Sequence, residues 1–408
     1  MEAEQSILLS ILLAGGLIAV ALLTQSVLQK IYLSNVVGFI GIGFLIRLLD
    51  SRYPFLSSQT NQVIAFLANI GIICLLFRVG LESNLAGLLR QLRQARLIWL
   101  GNTLLSGIFG YVVCYYLLGL AMIPSLVVGV AFTATSVSIP VAVWQEADAI
   151  RTPTGELLID VAELDDISAI VLMALLFAIV PVLMETASFP KMATLARAFL
   201  WFLLKLTAFG ILCVIFSRYL EQPFTEFLKK LEAGPDLMVT IIGIGFMIAA
   251  TAGLLGFSVA IGAFFAGLIF SRDTDAVKME TCIESVYELF IPFFFIHLGL
   301  GIDPDMVRSA LGLGVILMVA AIVGKIFGTL IPARCKGGWK SSTLLAVSMV
   351  PRAEIAMVIV QQGYGMGESV VPYPVFAAMV VVTAGTCILF PIVIRWLLRK
   401  WPPSDSLE

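Results

Sequence analysis

The stretch VAELDDISAIVLMALLFAIV (161–180) is apolar enough to cross a membrane as one helix, yet its first half carries Glu163, Asp165 and Asp166. A carboxylate at the bilayer centre costs about 2.5–3.5 kcal/mol even on lenient insertion scales, so acids placed there are expected to perform chemistry. Neighbouring residues on a helix point about 100° apart. Asp165 and Asp166 can therefore do different jobs, one facing a buried basic partner and the other a cavity. Carboxylate and hydroxyl oxygens suit hard cations, and the same oxygens take protons. Competition between Na⁺, Li⁺ or K⁺ and H⁺ at one carboxylate is itself an exchange mechanism, because loading the cation expels the proton.

Other ionisable groups interrupt apolar runs. Lys325 lies near the middle of GLGVILMVAAIVGKIFGTLIPA, too far from either end to snorkel with ease, so it needs a buried partner. The acids at 163–166 are the evident candidates, in a structural ion pair or in one that also relieves charge during exchange. Lys205 lies within about two turns of a predicted helix start and is read as snorkelling. Arg78 and Glu82 are spaced for an (i, i+4) pair near a membrane interface. His297 is the single histidine; its ordinary titration range would suit pH tuning, and a core histidine is the plainer reading.

Two runs look broken. VVGVAFTATSVSIPVAVW holds Thr133, Thr135, Ser136, Ser138 and Pro140, and TLLAVSMVPRAEIAMVIV holds Pro351 in mid-run. Proline removes a backbone donor and clashes with the preceding turn, and hydroxyls can satisfy the freed groups. Each helix end carries roughly half an elementary charge, so crossed breaks would gather opposing ends at mid-membrane. Arg352 and Glu354, flanking the second break, are expected to compensate them as scaffold rather than as ligands.

The elements that must position these groups are membrane helices. Of 408 residues, 60% are hydrophobic and 13% charged, with mean hydropathy +1.03. Soluble domains are about 45–50% apolar and 25% charged. A span needs about 20 apolar residues. Thirteen predicted helices begin near residues 6, 35, 61, 97, 122, 157, 197, 237, 257, 285, 308, 339 and 373. No soluble domain fits between them; the longest polar connector is 218–236. The expected class is an all-α polytopic membrane protein and a single membrane domain over 1–408. Lys and Arg concentrate on one side when the N-terminus is placed outside: Arg47, Arg52, Lys191, Arg197 and Arg308 fall outside, and most of the others inside. That implies N-terminus out and C-terminus in.

SNVVGFIGIGFLI (34–46) resembles SVAIGAFFAGLIF (258–270), with Gly38 and Gly43 matching Gly262 and Gly267 at an offset of 224. Gly80-Leu81 in LLFRVGLESNL matches Gly299-Leu300 in FFIHLGLGIDPDM at an offset of 219. The breaks correspond too, Thr135 to Ser348. The division is a first repeat over 1–180 (predicted helices 1–6), a linker helix 7 and cytoplasmic connector over 181–236, and a second repeat over 237–400 (helices 8–13). An odd linker inverts the second copy. Inverted repeats with crossed discontinuous helices mark secondary transporters. The tail WPPSDSLE (401–408) is short and polar. Its final Leu-Glu resembles a cloning remnant, in which case a C-terminal domain would have been removed.

Several classes are excluded. The six cysteines form no C-x-x-C pair and read as small buried hydrophobes, not disulfides or a zinc site. Walker A, G-x-S-x-G and H-E-x-x-H motifs are absent, which leaves no enzyme, cofactor or nucleic-acid reading. An intramembrane aspartyl protease would need aspartates on two helices in Y-D and G-x-G-D contexts, and neither occurs.

LLFRVGLE, TATSVSIP, ELDDISAIVL, SVAIGAFFAGL, FFFIHLGLGID, VGKIFG and PRAEIAMVI, in this order and spacing, resemble the membrane domain of the cation/proton antiporter 2 superfamily, within the wider fold of bacterial sodium/proton antiporters. The resemblance implies that Asp166 binds the transported cation or proton, that Asp165 pairs with Lys325, and that Thr135 and Ser136 line the unwound stretch. It matches Arg352 and Glu354 to an Arg-Gly-Glu motif, here with Ala353. Arg78 stands where the family usually has a small residue, and His297 where it usually has Ser or Thr; with Glu82 they are the candidates for pH tuning. The resemblance further implies electrogenic exchange, a homodimer and a multi-pass place in the cell (inner) membrane, with lipid, small cations and protons as partners. The alternatives are a channel-like potassium efflux system, whose relatives carry Gln-Asp in place of Asp165-Asp166, and a sodium-coupled solute symporter on a related fold.

Overall fold

In lipid every backbone N–H and C=O must be satisfied within its own segment, so even runs rich in Val, Ile and Phe fold as helices. The computed structural model describes residues 2–402, apart from 31–32, 84, 186–191, most of 216–235, 256, 272–275 and 336. Most of the predicted connector over 218–236 and most of the predicted tail over 401–408 lie outside the described residues.

The helices are α1 (Glu2–Lys30), α2 (Asn35–Arg52), α3 (Ser58–Glu82), α4 (Leu85–Val112, running into a π-helical turn at Val113–Leu117), α5 (Met122–Thr133), α6 (Ser138–Glu146), α7 (Pro153–Glu185) and α8 (Met192–Ile215). There follow α9 (Asp236–Leu254), α10 (Val259–Phe270), α11 (Ala276–Leu300), α12 (Val307–Arg334), α13 (Trp339–Ser348), α14 (Glu354–Gly365) and α15 (Tyr373–Lys400). Among the described residues, eight helical segments are long and apolar enough to cross a membrane, and three shorter apolar helices accompany them. The chain is a multi-pass helical membrane protein.

Two helices begin well before their predicted starts. α4 opens at Leu85 rather than near 97, and α11 at Ala276 rather than near 285. Hydropathy finds only the apolar part of a helix, and here it is preceded by turns carrying Arg90, Arg93 and Arg96 in α4 and Lys278, Glu280 and Glu284 in α11. Both broken runs are helix pairs. Residues 134–137 separate α5 from α6, and 349–353 separate α13 from α14. Pro140 falls in the first turn of α6, where its missing N–H costs no hydrogen bond. Pro351 lies in the second gap itself.

The chain divides into two compact units, one comprising Met1–Ser57, Leu88–Met173 and Phe295–Glu408, the other Ser58–Gly87 and Ala174–Phe294. The first unit has a core around fully buried Trp144, packed with Leu158, Val161, Leu345 and Ile394. Trp144 Nε1 donates to Ser348 Oγ at 2.9 Å. In the same unit α2 meets α11 at Gly43 and Gly299: a Cβ on either would collide with the Ile296 or Ile40 carbonyl oxygen. In the second unit α3 meets α10 in the same manner, with Gly80 against the Phe264 carbonyl and Gly267 against that of Phe77.

Lipid tails are as apolar as leucine, so close backbone packing through small residues does much of the work of association. α4 and α12 follow this rule at the place that matters most. A Cβ on Gly101 would lie 2.8 Å from the Gly328 carbonyl oxygen, and one on Gly328 would lie 2.9 Å from that of Gly101 and 3.1 Å from Asn102 Cα. Gly328→Val is expected to push α12 off α4, lowering the melting temperature in detergent; overpacking typically costs about 1–3 kcal/mol.

Candidate functional site

The two breaks meet. Ser136 N–H donates to the Pro351 carbonyl at 2.9 Å. Where α5 stops, its last carbonyls lose their helical donors, and two buried cations replace them. Arg352 Nη1 donates to the carbonyls of Phe132 and of Ala134, the latter at 3.0 Å, and Nη2 reaches that of Ala321 at 3.3 Å. Its guanidinium also sits 4.7 Å from the Phe132 ring centre. Lys325 Nζ donates to the Thr133 carbonyl at 2.8 Å. Positive charge thus gathers at the negative end of the α5 dipole. Glu354, the first residue of α14, sits at a positive end. It accepts from Ser136 Oγ at 3.1 Å and Ser138 Oγ at 3.3 Å.

Asp165 is held from four sides. Its Oδ2 accepts from Lys325 Nζ at 2.8 Å, from Thr135 Oγ1 at 2.8 Å and from Asn102 Nδ2, and its Oδ1 accepts from Thr103 Oγ1 at 3.0 Å. The Asp165 and Lys325 side chains are both 0% exposed. Thr329 Oγ1 donates to Asn102 Oδ1 at 3.0 Å, which turns the amide so that its NH₂ faces the carboxylate. The glycine contact between α4 and α12 is what brings Asn102, Lys325 and Thr329 within reach of one another. Asp166, one residue on and about 100° round α7, lies half-buried.

A description of transmembrane sodium/hydrogen exchangers as a family matches residues 17–400. The chain belongs to that family. It is 26% identical over 359 residues to the high-affinity Na⁺/H⁺ antiporter NhaS3 of Synechocystis, covering 86% of this chain and 75% of the relative. It is 27% identical over 392 residues to the Na⁺/H⁺-K⁺ antiporter GerN of Bacillus cereus, covering 96% and 94%. The sodium/proton antiporter MjNhaP1 of Methanocaldococcus jannaschii shares the fold, with a TM-score of 0.69 at 16% identity, over 97% of this chain and 99% of that one.

In this exchanger fold, Thr135 and Ser136 separate. Thr135 bonds to Asp165, whereas Ser136 turns to Glu354, so the hydroxyls expected together serve different groups. Asn102, Thr103 and Thr329 escaped the sequence reading because an amide and two hydroxyls add no charge to an apolar run. The one available signal was the polar pair in LGNTLLSG, inside the span Ala95–Leu117. Thr329→Val strands a buried amide oxygen and is expected to cost about 1–3 kcal/mol of stability, read from unfolding in detergent.

Among the described residues, no hydrogen bond or ion pair is seen between the remaining candidates and this cluster. His297 is half-buried near the end of α11, and among the described residues no hydrogen bond or ion pair links it to the carboxylates. Arg78 and Glu82 belong to the second unit, where Arg78 Nε donates to Glu82 Oε1 at 2.7 Å, Nη2 lies 3.9 Å from Glu284 Oε1 and the guanidinium carbon 4.9 Å from the Tyr287 ring centre. Exposed Lys205 lies 5.7 Å from the Trp201 ring, as a snorkelling residue would.

Proposed function

We propose that this protein exchanges a monovalent cation for protons by competition at Asp166, with Asp165 and Lys325 as a buried ion pair beside it. The observation that carries the reading is the contrast between two adjacent acids. Asp165 accepts from four donors in full burial, a setting for a constant carboxylate, while Asp166 is half-buried on another face of α7. Adjacent acids in unlike settings can divide structure from transport. The relatives support Na⁺ as the first cation to test and K⁺ as the second.

Exchange at one site requires alternating access, which in folds with inverted repeats is a rigid-body movement of one part against another. The glycine contacts support the repeats. Gly43 and Gly267 are predicted counterparts, as are Gly80 and Gly299. The first unit pairs Gly43 with Gly299, and the second pairs Gly267 with Gly80. The same close approach therefore recurs with the repeats exchanged. The thirteen-helix count, the N-out orientation, electrogenic exchange and a homodimer in the cell membrane belong to the same reading.

The test is proton movement driven by a cation pulse in proteoliposomes, using Na⁺, Li⁺ and K⁺ in turn, with the membrane potential free or clamped. A cation-dependent signal that responds to the clamp is expected. Equal traces with every cation and with none would overturn the reading.

A further inference from the structure

A cavity of about 320 Å³ opens between the start of α7 and the end of α12 with the start of α13. Two acids border it, Glu156 and Asp160, spaced (i, i+4) on one face of α7. Glu156 is exposed and Asp160 half-buried. Among the described residues no Lys, Arg or His lines it, and no ion pair neutralises either acid.

A second observation comes from the opposite wall. Ser342 is 2% exposed, yet its Oγ has no hydrogen-bond partner among the described residues. Burying such a group without a partner is unfavourable. The hydroxyl borders the open side of Gly337, since a Cβ there would lie 3.8 Å from Ser342 Oγ and 3.1 Å from Ser341 Oγ. Ser341 donates to the Gly338 carbonyl at 3.1 Å, so its oxygen lone pairs remain able to accept. Two carboxylates facing two hydroxyl oxygens form a hard-oxygen set for a cation. The cavity is roomy enough for the ion to keep part of its water.

Position gives the site its role. Asp160 precedes Asp166 by six residues, about 9 Å along the helix axis, and half-buried Glu163 lies between them. A cation in the cavity is therefore too far from Asp166 to share its oxygens and near enough to be passed on. We infer that this cavity is a second cation site, an antechamber that holds a partly hydrated monovalent cation one step from the transport carboxylate. Its role as an antechamber rests on the exchange reading above; its existence as a binding site does not.

The test uses the full chain in detergent and radiolabelled Na⁺, comparing the wild type, Asp166→Asn, and Asp166→Asn combined with Asp160→Asn and Ser342→Ala. Asp166→Asn is expected to retain a class of bound Na⁺ that the combined variant loses. In proteoliposomes Asp160→Asn is expected to raise the apparent KM for the cation about threefold to tenfold with kcat at saturation within about twofold, and Ser342→Ala, which removes a single hydroxyl, to shift KM the same way by less. Complete loss of bound Na⁺ in Asp166→Asn would overturn the site. An unchanged KM in both single variants would overturn its role as antechamber. Displacement of the label by Mg²⁺ but not by K⁺ or Li⁺ would make it a divalent site and overturn the proposal. A wild type that binds Na⁺ but drives no proton movement would instead overturn exchange, and retained binding in Asp166→Asn would still stand.

Discussion

Asp166→Asn abolishes cation-driven proton movement in proteoliposomes, by at least about a hundredfold, the lower range for removing a group that gives and takes the essential proton. Asparagine has nearly the shape of aspartate and can still hydrogen-bond, so α7 should keep its place. It has no charge to attract a cation and no proton to release, so both halves of the competition fail together. Asp165 keeps all four of its donors in the variant, which should therefore unfold close to the wild-type temperature. That pairing of lost transport with kept stability is the decisive outcome. Transport equal to wild type would make Asp166 structural and bring the symporter and efflux readings forward. Loss of both would mean that the charge of Asp166 holds the bundle together, and transport would then have to be tested with Asp166→Glu. The assay should run from neutral to alkaline pH with each cation, because competition shifts the balance between proton and cation as protons become scarce.

The features that betray themselves in sequence are those that break a rule. Charges inside apolar runs did so at Asp165, Asp166, Lys325 and Arg352, and Asp165, Lys325 and Arg352 meet around the end of α5. Proline and hydroxyls inside a span marked both breaks. The close helix contacts were legible through glycines, because only they permit the backbone approaches at Gly43, Gly80, Gly267 and Gly299. What stayed hidden obeys every rule. Asn102, Thr103 and Thr329 are ordinary in a membrane helix, and their importance comes from α4 and α12 touching at Gly101 and Gly328, a contact of high sequence separation. Glu156 and Asp160 read as a polar helix start until the fold sets Ser342 opposite them. The parting of Thr135 from Ser136 depends on backbone direction within a four-residue gap, which no periodicity encodes. Hydropathy set the starts of α4 and α11 too late for a similar reason: N-terminal turns that carry Arg90 and Arg93, or Lys278 and Glu280, are invisible to a scale that measures lipid burial.

Lys325→Met destabilises the fold by about 3 kcal/mol, the low end of the about 3–5 kcal/mol typical for stranding one partner of a buried ion pair. The low end applies because Asn102, Thr103 and Thr135 would still donate to Asp165. The Thr133 carbonyl would also lose its donor. Pairing Lys325→Met with Asp165→Asn removes the uncompensated charge, and buried pairs replaced on both sides are often neutral in stability. Unfolding in detergent should therefore find the double variant more stable than Lys325→Met alone. A double variant no better than the single would mean that Lys325 acts through Thr133 and the α5 terminus rather than through Asp165. The same variant bears on charge movement. If a cation binds beside Asp166 and Asp165 while Lys325 gives up its proton, two protons leave as one cation enters, and each cycle carries net charge. Without Lys325 only the Asp166 proton can leave, and exchange becomes one for one. Lys325→Met that still exchanges should then ignore a clamped membrane potential to which the wild type responds. A variant that transports and keeps the wild-type voltage response would place the second proton elsewhere, and Asp165–Lys325 would be scaffold alone.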